Sequence, residues 1–140
     1  MEQSKVDMFI LNKSTLFPSP LVLYIREQML KMKDEDWGKV SAVQFRNPTI
    51  AMLLSLGCGV YGADRFYLGD WLLGCLKLLC TIILITTIVV IDFMDIDNWL
   101  AVLFMLLFIS IVILWYFIDI FLVAKKTKEL NYNKLLTILN

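Results

Sequence analysis

A charged turn between glycines is the part of this sequence whose residue types could do chemistry. Residues 62–70 read Gly-Ala-Asp-Arg-Phe-Tyr-Leu-Gly-Asp, which sets two acids and a base beside two aromatic rings in an otherwise apolar stretch. Lys77 and Asp119 are further ionisable residues within apolar sequence. A charge in such a setting is costly unless it is paired, so these residues are the candidates for ion pairing or a role in transport. The alternative for the turn is an interfacial position, with Arg65 snorkelling and Tyr67 at the headgroups.

Most other residue patterns that are typical of catalytic sites are missing from the sequence. It contains no histidine, which excludes a Ser-His-Asp triad and any zinc site that needs histidine. The three cysteines lie in apolar sequence without a CxxC pair: Cys58, Cys75 and Cys80. They are expected to be small buried hydrophobic residues. We therefore expect no enzyme, no catalytic residue, no cofactor and no metal. A membrane enzyme built on an acid cluster of Asp64, Asp70 and Asp119 is the weakest alternative.

The composition points to a membrane. Hydrophobic residues make up 59% of the 140 positions and charged residues 19%, against about 45–50% and about 25% in soluble domains. The formal net charge is zero. Because the chain has neither a basic face nor a nucleic-acid-binding motif, we expect no nucleic-acid partner.

Three apolar segments are expected to form the membrane domain over residues 48–124: 49–63, 71–93 and 99–124. The third has an uncharged run of 20 residues, 99–118, which is long enough to span a bilayer. The first would cover only about 22 Å as a helix, less than the hydrocarbon core. We predict an all-α integral membrane protein with a transmembrane hairpin and a short first apolar helix. Whether 49–63 crosses fully, giving two spans or three, stays open.

The flanking segments are more polar. Residues 1–47 are expected to form an amphipathic helical appendage, with Ser19 and the acids 34–36 as helix caps. One helix would carry Val22, Ile25, Met29 and Met32 on one face, and a second would carry Trp37, Val40 and Val43. This appendage either buries its own apolar stripe, lies on the membrane surface or binds a partner. Residues 125–140 form a tail.

The basic residues predict the orientation. Bases precede the first apolar segment and follow the last, whereas the loop 92–98 is acidic and has none. The positive-inside bias then places both termini in the cytoplasm and this loop outside. The first residues lack the pattern of a signal peptide. We expect a chain that starts in the cytoplasm and becomes a multi-pass protein of the cytoplasmic membrane.

The residues Gly62–Gly69 resemble the motif of the TM-two domain family, in which an Asp-Arg-Phe turn joins two transmembrane helices. The resemblance covers about 48–131 through further runs at Ala51–Leu54, Gly74–Leu79, Trp115–Asp119 and Lys128–Asn131, with a leader at Lys5–Ile10 like that of short bacterial members. It implies the bacterial inner membrane. The motif and structural residues that we select are Asp64, Arg65, Phe66, Tyr67, Gly69, Gly74, Lys77 and Asp119.

One departure from that family predicts a contact. In its compact members the residues that correspond to Lys77 and Asp119 share one helix, whereas here they are 42 positions apart with an apolar insertion between them. If the second and third segments form an antiparallel hairpin, Asp119 lies about 31 Å from the loop, level with the charged turn. We predict an ion pair between Arg65 and Asp119, with Lys77 as the second candidate. The alternative is that Asp119 reaches headgroup water.

The resemblance and the missing chemistry favour an interaction, scaffold or regulatory protein. Its expected partners are the lipid bilayer and a second copy or another membrane protein. A subunit of a small oligomeric channel or transporter is the alternative, because ionisable residues within membrane segments often serve transport.

Overall fold

The computed structural model describes residues 3–93 and 99–139, and all regular structure within these ranges is helical. The predicted all-α fold is thereby confirmed for the described residues. The helices are α1 (Gln3–Lys13), α2 (Val22–Lys31), α3 (Trp37–Ala42), α4 (Pro48–Cys58), α5 (Ala63–Leu68), α6 (Trp71–Phe93) and α7 (Trp99–Leu139). Most of the loop whose outward orientation was predicted, 94–98, lies outside the described residues.

The chain divides into two compact units, which we describe separately. Unit 1 consists of Met1–Thr49 and Ala124–Asn140, and unit 2 is Ile50–Val123. The core of unit 1 is apolar and draws on α1, α2, α3 and the end of α7. Its buried members are Val6, Phe9, Phe17, Ile25, Met29, Val40 and Leu135. The sequence pattern identified the buried face of α2, but it did not indicate that Leu135 would complete this core.

The tail is helical and packs within unit 1. Asn131 is 2% exposed and explains this packing, because its side-chain amide bonds the backbone at two separate places. Its Oδ1 accepts from the Arg46 amide at 2.9 Å, and its Nδ2 donates to the carbonyls of Arg46 at 2.7 Å and Leu16 at 3.0 Å. Buried backbone groups need such partners. Asn131 therefore fixes the tail against the N-terminal residues.

The expected helix caps of unit 1 are wrong in detail. Ser19 lies in a 3₁₀ turn, Ser19–Leu21, and α2 begins only at Val22 with no side-chain cap. The acids form a second 3₁₀ turn, Asp34–Asp36, and Asp36 does not cap α3. Instead its carboxylate accepts a bond of 2.7 Å from Lys39 Nζ. This ion pair lowers the pKa of Asp36.

The first apolar segment of unit 2 is broken. The helix α4 has 11 residues, about 16 Å of rise. A 3₁₀ turn, Gly59–Tyr61, and the separate short helix α5 follow it. Glycine lowers helix stability, and the break falls where the glycines cluster. The expected single segment over 49–63 is therefore two shorter pieces.

The helices α6 and α7 are long and apolar enough to cross a membrane. Their candidate spans are Trp71–Ile91 and Val102–Leu139, and only 11% and 17% of their most apolar windows are buried. The core helix of a soluble protein would be mostly buried. Monomeric soluble proteins rarely leave so much contiguous apolar surface exposed. The two helices are thus suited to lipid surroundings.

Candidate functional site: a buried charge cluster

The helix α5 lies between two glycines in the left-handed conformation. Gly62 has a φ of 78° and Gly69 a φ of 83°, values that residues with a Cβ rarely adopt. After α5, the amide of Gly69 donates to Phe66 O at 3.0 Å and the amide of Asp70 to Arg65 O at 2.9 Å, the pattern of a Schellman C-cap. The two glycines allow the chain to turn sharply on either side of the Asp-Arg-Phe motif.

Close glycine packing fixes α5 on the first turns of α6. A Cβ on Gly62 would lie 2.6 Å from the Gly74 carbonyl oxygen, and a Cβ on Gly74 would lie 2.7 Å from the Phe66 ring. The Phe66 ring also packs against Trp71, with ring centroids 5.3 Å apart. Tyr67 lies on the same helix and is half-buried. The motif residues Phe66, Gly69 and Gly74 thus serve to position the charged side chains.

This packing brings four ionisable side chains from α5, α6 and α7 together, which we call the charge cluster: Asp64, Arg65, Lys77 and Asp119. The Asp64 and Asp119 side chains are 0% and 1% exposed, and those of Arg65 and Lys77 are 9% and 11% exposed. All four are far more buried than charged residues usually are.

Every member of the charge cluster contacts an opposite charge. Asp119 forms salt bridges with both Arg65 and Lys77, and Arg65 Nε donates to its Oδ2 at 3.3 Å. Lys77 Nζ donates to the two oxygens of Asp64 at 2.9 and 3.2 Å, and Arg65 Nε lies 3.6 Å from Asp64 Oδ2. The predicted contact between Arg65 and Asp119 is present. Lys77 joins it as a second partner of the same carboxylate.

The charge cluster is electrically neutral and has one acid at its edge. Two acids balance two bases, and Asp70, whose side chain is 29% exposed, lies 3.8 Å from Arg65 Nη1. Buried charges are tolerated when they are paired and hydrogen-bonded, whereas removing one partner leaves an uncompensated charge. The chemistry of this arrangement is therefore ion pairing between three helices. Among residues 3–93 and 99–139, no group of three His, Cys, Asp or Glu could hold a metal ion.

Two hydrogen bonds that the sequence did not indicate attach α4 and the turn after it to α6 and α7. Tyr116 Oη donates to the carbonyl of Leu56 at 2.5 Å and ties α7 to α4. Thr81 Oγ1 donates to the carbonyl of Val60 at 2.8 Å and ties α6 to the turn after α4. Gly59 makes room for this arrangement, because a Cβ there would lie 3.3 Å from the Tyr116 ring. The sequence signal that could have indicated these two bonds is the presence of hydroxyl side chains within apolar segments.

An apolar cavity of about 120 Å³ lies between α6 and α7, next to the charge cluster. Phe108, Ile111, Val112 and Trp115 line it from α7, and Lys77, Cys80 and Thr81 line it from α6. Three of its hydrogen-bonding side chains are already engaged, since Lys77 bonds Asp64, the Thr81 hydroxyl bonds Val60 and the Tyr116 hydroxyl bonds Leu56. The cavity therefore offers apolar contact to an occupant.

One comparison with known proteins finds a match. The family model of the TM2 domain matches residues 44–94, a range that contains α4, α5, α6 and three of the four members of the charge cluster. Asp119 lies beyond the matched range. No curated protein and no solved structure matches the chain. Residues 44–94 are therefore similar to the TM2 domain, the family that the Asp64-Arg65-Phe66 turn resembles.

Proposed function

We propose that this protein is a non-enzymatic membrane protein that acts as an interaction, scaffold or regulatory partner of other membrane proteins. The mutual pairing of the charge cluster carries the proposal. Both carboxylates that could act as an acid or base, Asp64 and Asp119, are engaged by Arg65 and Lys77. A site whose charges are paired in this way stabilises a helix arrangement and leaves the outer surface for recognition.

We propose two membrane crossings, by α6 and α7. Asp119 is the twenty-first residue of α7, about 30 Å from its start, and so lies at the far edge of a hydrocarbon core that α7 enters at Trp99. Tyr116, which bonds Leu56 of α4, lies only about 5 Å deeper. On this placement α4 and α5 form a shallow hairpin that enters and leaves on one side. An even number of crossings agrees with the distribution of bases around the apolar segments.

The exposed apolar side chains of unit 2 are the proposed contact surface. Leu53 and Leu56 of α4 are 62% and 60% exposed. Packing of small and apolar residues drives helix association in membranes. A bilayer, a second copy of this chain or another membrane protein is the kind of partner that such a surface fits.

A photoreactive amino acid on α4 tests the scaffold role. We expect the residue at Leu53 to cross-link one defined protein in native membranes, either a second copy or another membrane protein. The same probe at Ala51, which is 0% exposed, is the matched control and should yield little product. The variant Arg65→Asp should reduce the product from Leu53, because it disrupts the charge cluster that holds α7 in place, and α7 in turn bonds α4 through Tyr116. Cross-links to lipid alone would contradict the proposal.

A channel or transporter subunit is the second candidate, and the burial of Lys77 and Asp119 within the candidate membrane spans favours it. The purified protein in liposomes distinguishes the two. Ion flux above that of empty liposomes, abolished by Asp119→Asn and retained in Asp36→Asn, would support transport. Flux equal to that of empty liposomes would support the interaction role.

A further inference from the structure

Charge is distributed unequally between the two units. Unit 1 contains eleven Lys and Arg against seven Asp and Glu, a net charge of +4, whereas unit 2 contains two against six, a net charge of −4. The excess of positive charge in unit 1 is concentrated where the apolar part of α7 ends, in the sequence Lys125-Lys126-Thr127-Lys128. Just before it, Phe121 and Leu122 are 74% and 49% exposed. The lysines therefore follow directly on lipid-compatible surface.

A surface cavity of about 290 Å³ lies in this basic region, entirely within unit 1. Its lining combines two lysines, one glutamate and two apolar residues: Lys125, Lys128, Glu129, Pro18 and Ala124. Lys125 and Lys128 are three positions apart on α7 and so share one face. This combination of paired cations and an apolar rim matches the chemistry of a phospholipid headgroup.

The acid in this cavity does not neutralise it. Lys125 Nζ and the Glu129 carboxylate are 3.9 Å apart, and their side chains are 75% and 54% exposed. An exposed ion pair at this distance contributes little to stability, so Lys125 can readily exchange Glu129 for another anion. The cavity therefore keeps a net positive charge and favours an anion.

We propose that the cavity lined by Lys125 and Lys128 binds the phosphate headgroup of an anionic phospholipid. The proposal rests on the proposed placement of α7 in a bilayer, in which residues 124–128 lie about 8–14 Å beyond the core edge at Asp119. Lysine side chains at these positions are long enough to reach back to the headgroups. Anionic membrane surfaces attract basic segments next to a membrane span. Charge complementarity and the exposed apolar side chains just before the lysines favour a lipid over an acidic protein.

Lipid binding to the full chain in a non-ionic detergent tests the proposal. Native mass spectrometry would compare phosphatidylglycerol with phosphatidylcholine of the same acyl chains. Each lysine near the phosphate should contribute about fivefold in affinity. The double variant Lys125→Gln/Lys128→Gln should therefore lose about 25-fold in phosphatidylglycerol affinity and keep its phosphatidylcholine affinity.

Two further variants make the test specific. Lys31→Gln/Lys33→Gln removes the same charge from exposed positions of unit 1 and should keep the preference for phosphatidylglycerol. Glu129→Gln removes the competing carboxylate and should strengthen phosphatidylglycerol binding several-fold. Equal affinity for the two lipids, or equal losses in the two double variants, would overturn the proposal. Release of the protein from membranes by alkaline washing would instead contradict the proposed membrane placement, so the two failures are distinguishable.

Discussion

Asp119 and Arg65 are 54 positions apart in the chain, yet Arg65 Nε donates to Asp119 Oδ2 at 3.3 Å in a buried environment. The contact joins the last third of the chain to the Asp-Arg-Phe turn. Arg65 lies within the range that the TM2 family model matches, whereas Asp119 lies beyond it, because the match ends at residue 94. A helix outside the matched domain thus supplies one of the two buried acids of the charge cluster.

The first prediction exchanges these charges. Arg65→Asp and Asp119→Arg should each lower the free energy of unfolding by about 3–5 kcal/mol, because each leaves buried charges uncompensated. The double exchange restores the balance of two acids and two bases and should recover part of the loss. Thermal unfolding in detergent measures all four proteins, and strictly additive losses would contradict pairing.

The second prediction ranks three glycines. Gly62→Ala should be the most damaging, because it combines a positive φ with a backbone atom 2.6 Å from the new Cβ. Gly74→Ala should be less damaging, because the Phe66 side chain that its Cβ would meet can move. Phe66→Leu should partly rescue this variant, because leucine is smaller than phenylalanine. Gly57→Ala has open space around its Cβ and should stabilise α4 by up to about 1 kcal/mol. Equal effects at all three positions, by thermal unfolding, would contradict this packing.

The third prediction concerns Tyr116. Tyr116→Phe removes the donor to the Leu56 carbonyl and should cost about 1–3 kcal/mol, since the carbonyl loses its bond within an apolar environment. Tyr61→Phe is the matched control, because Tyr61 is 56% exposed, and it should change stability by less than about 0.5 kcal/mol. Chemical unfolding in mixed micelles would detect this difference.

The fourth prediction tests the link between the two parts of unit 1. Asn131→Ala removes three hydrogen bonds to backbone groups and should cost about 2–4 kcal/mol. Asn133 is exposed on the same helix, and Asn133→Ala should leave stability nearly unchanged. Limited proteolysis should cut the Asn131 variant faster within the tail. An unchanged cleavage pattern would contradict the role of Asn131.

The fifth prediction concerns orientation. With the three native cysteines replaced by serine, a cysteine at Asn98 should react with an impermeant thiol reagent added to cells with a permeabilised outer envelope. A cysteine at Lys134 should react only after the inner membrane is broken, because the basic flank is expected to stay inside. The reverse pattern would invert the orientation, and labelling of both cysteines before lysis would contradict a two-span hairpin.

Composition and residue spacing were enough to predict the all-α class of this protein and the charged turn in its site. Long uncharged runs must form helices if they enter lipid, because backbone groups there need internal partners. The helices α6 and α7 therefore followed from composition and length. The cost of an isolated charge in apolar sequence likewise singled out Lys77 and Asp119 as residues in need of partners, and helix rise placed Asp119 level with Arg65.

How these residues share their partners depends on the packing of the helices. Periodicity and helix rise give depth along a helix but not rotation about its axis, so they could not show that Lys77 contacts both Asp64 and Asp119. The break after α4 depends on packing of Gly59 against Tyr116 and of Gly62 against Gly74. The addition of Leu135 and Asn131 to unit 1 depends on contacts between residues 85 or more positions apart, which local sequence patterns do not encode.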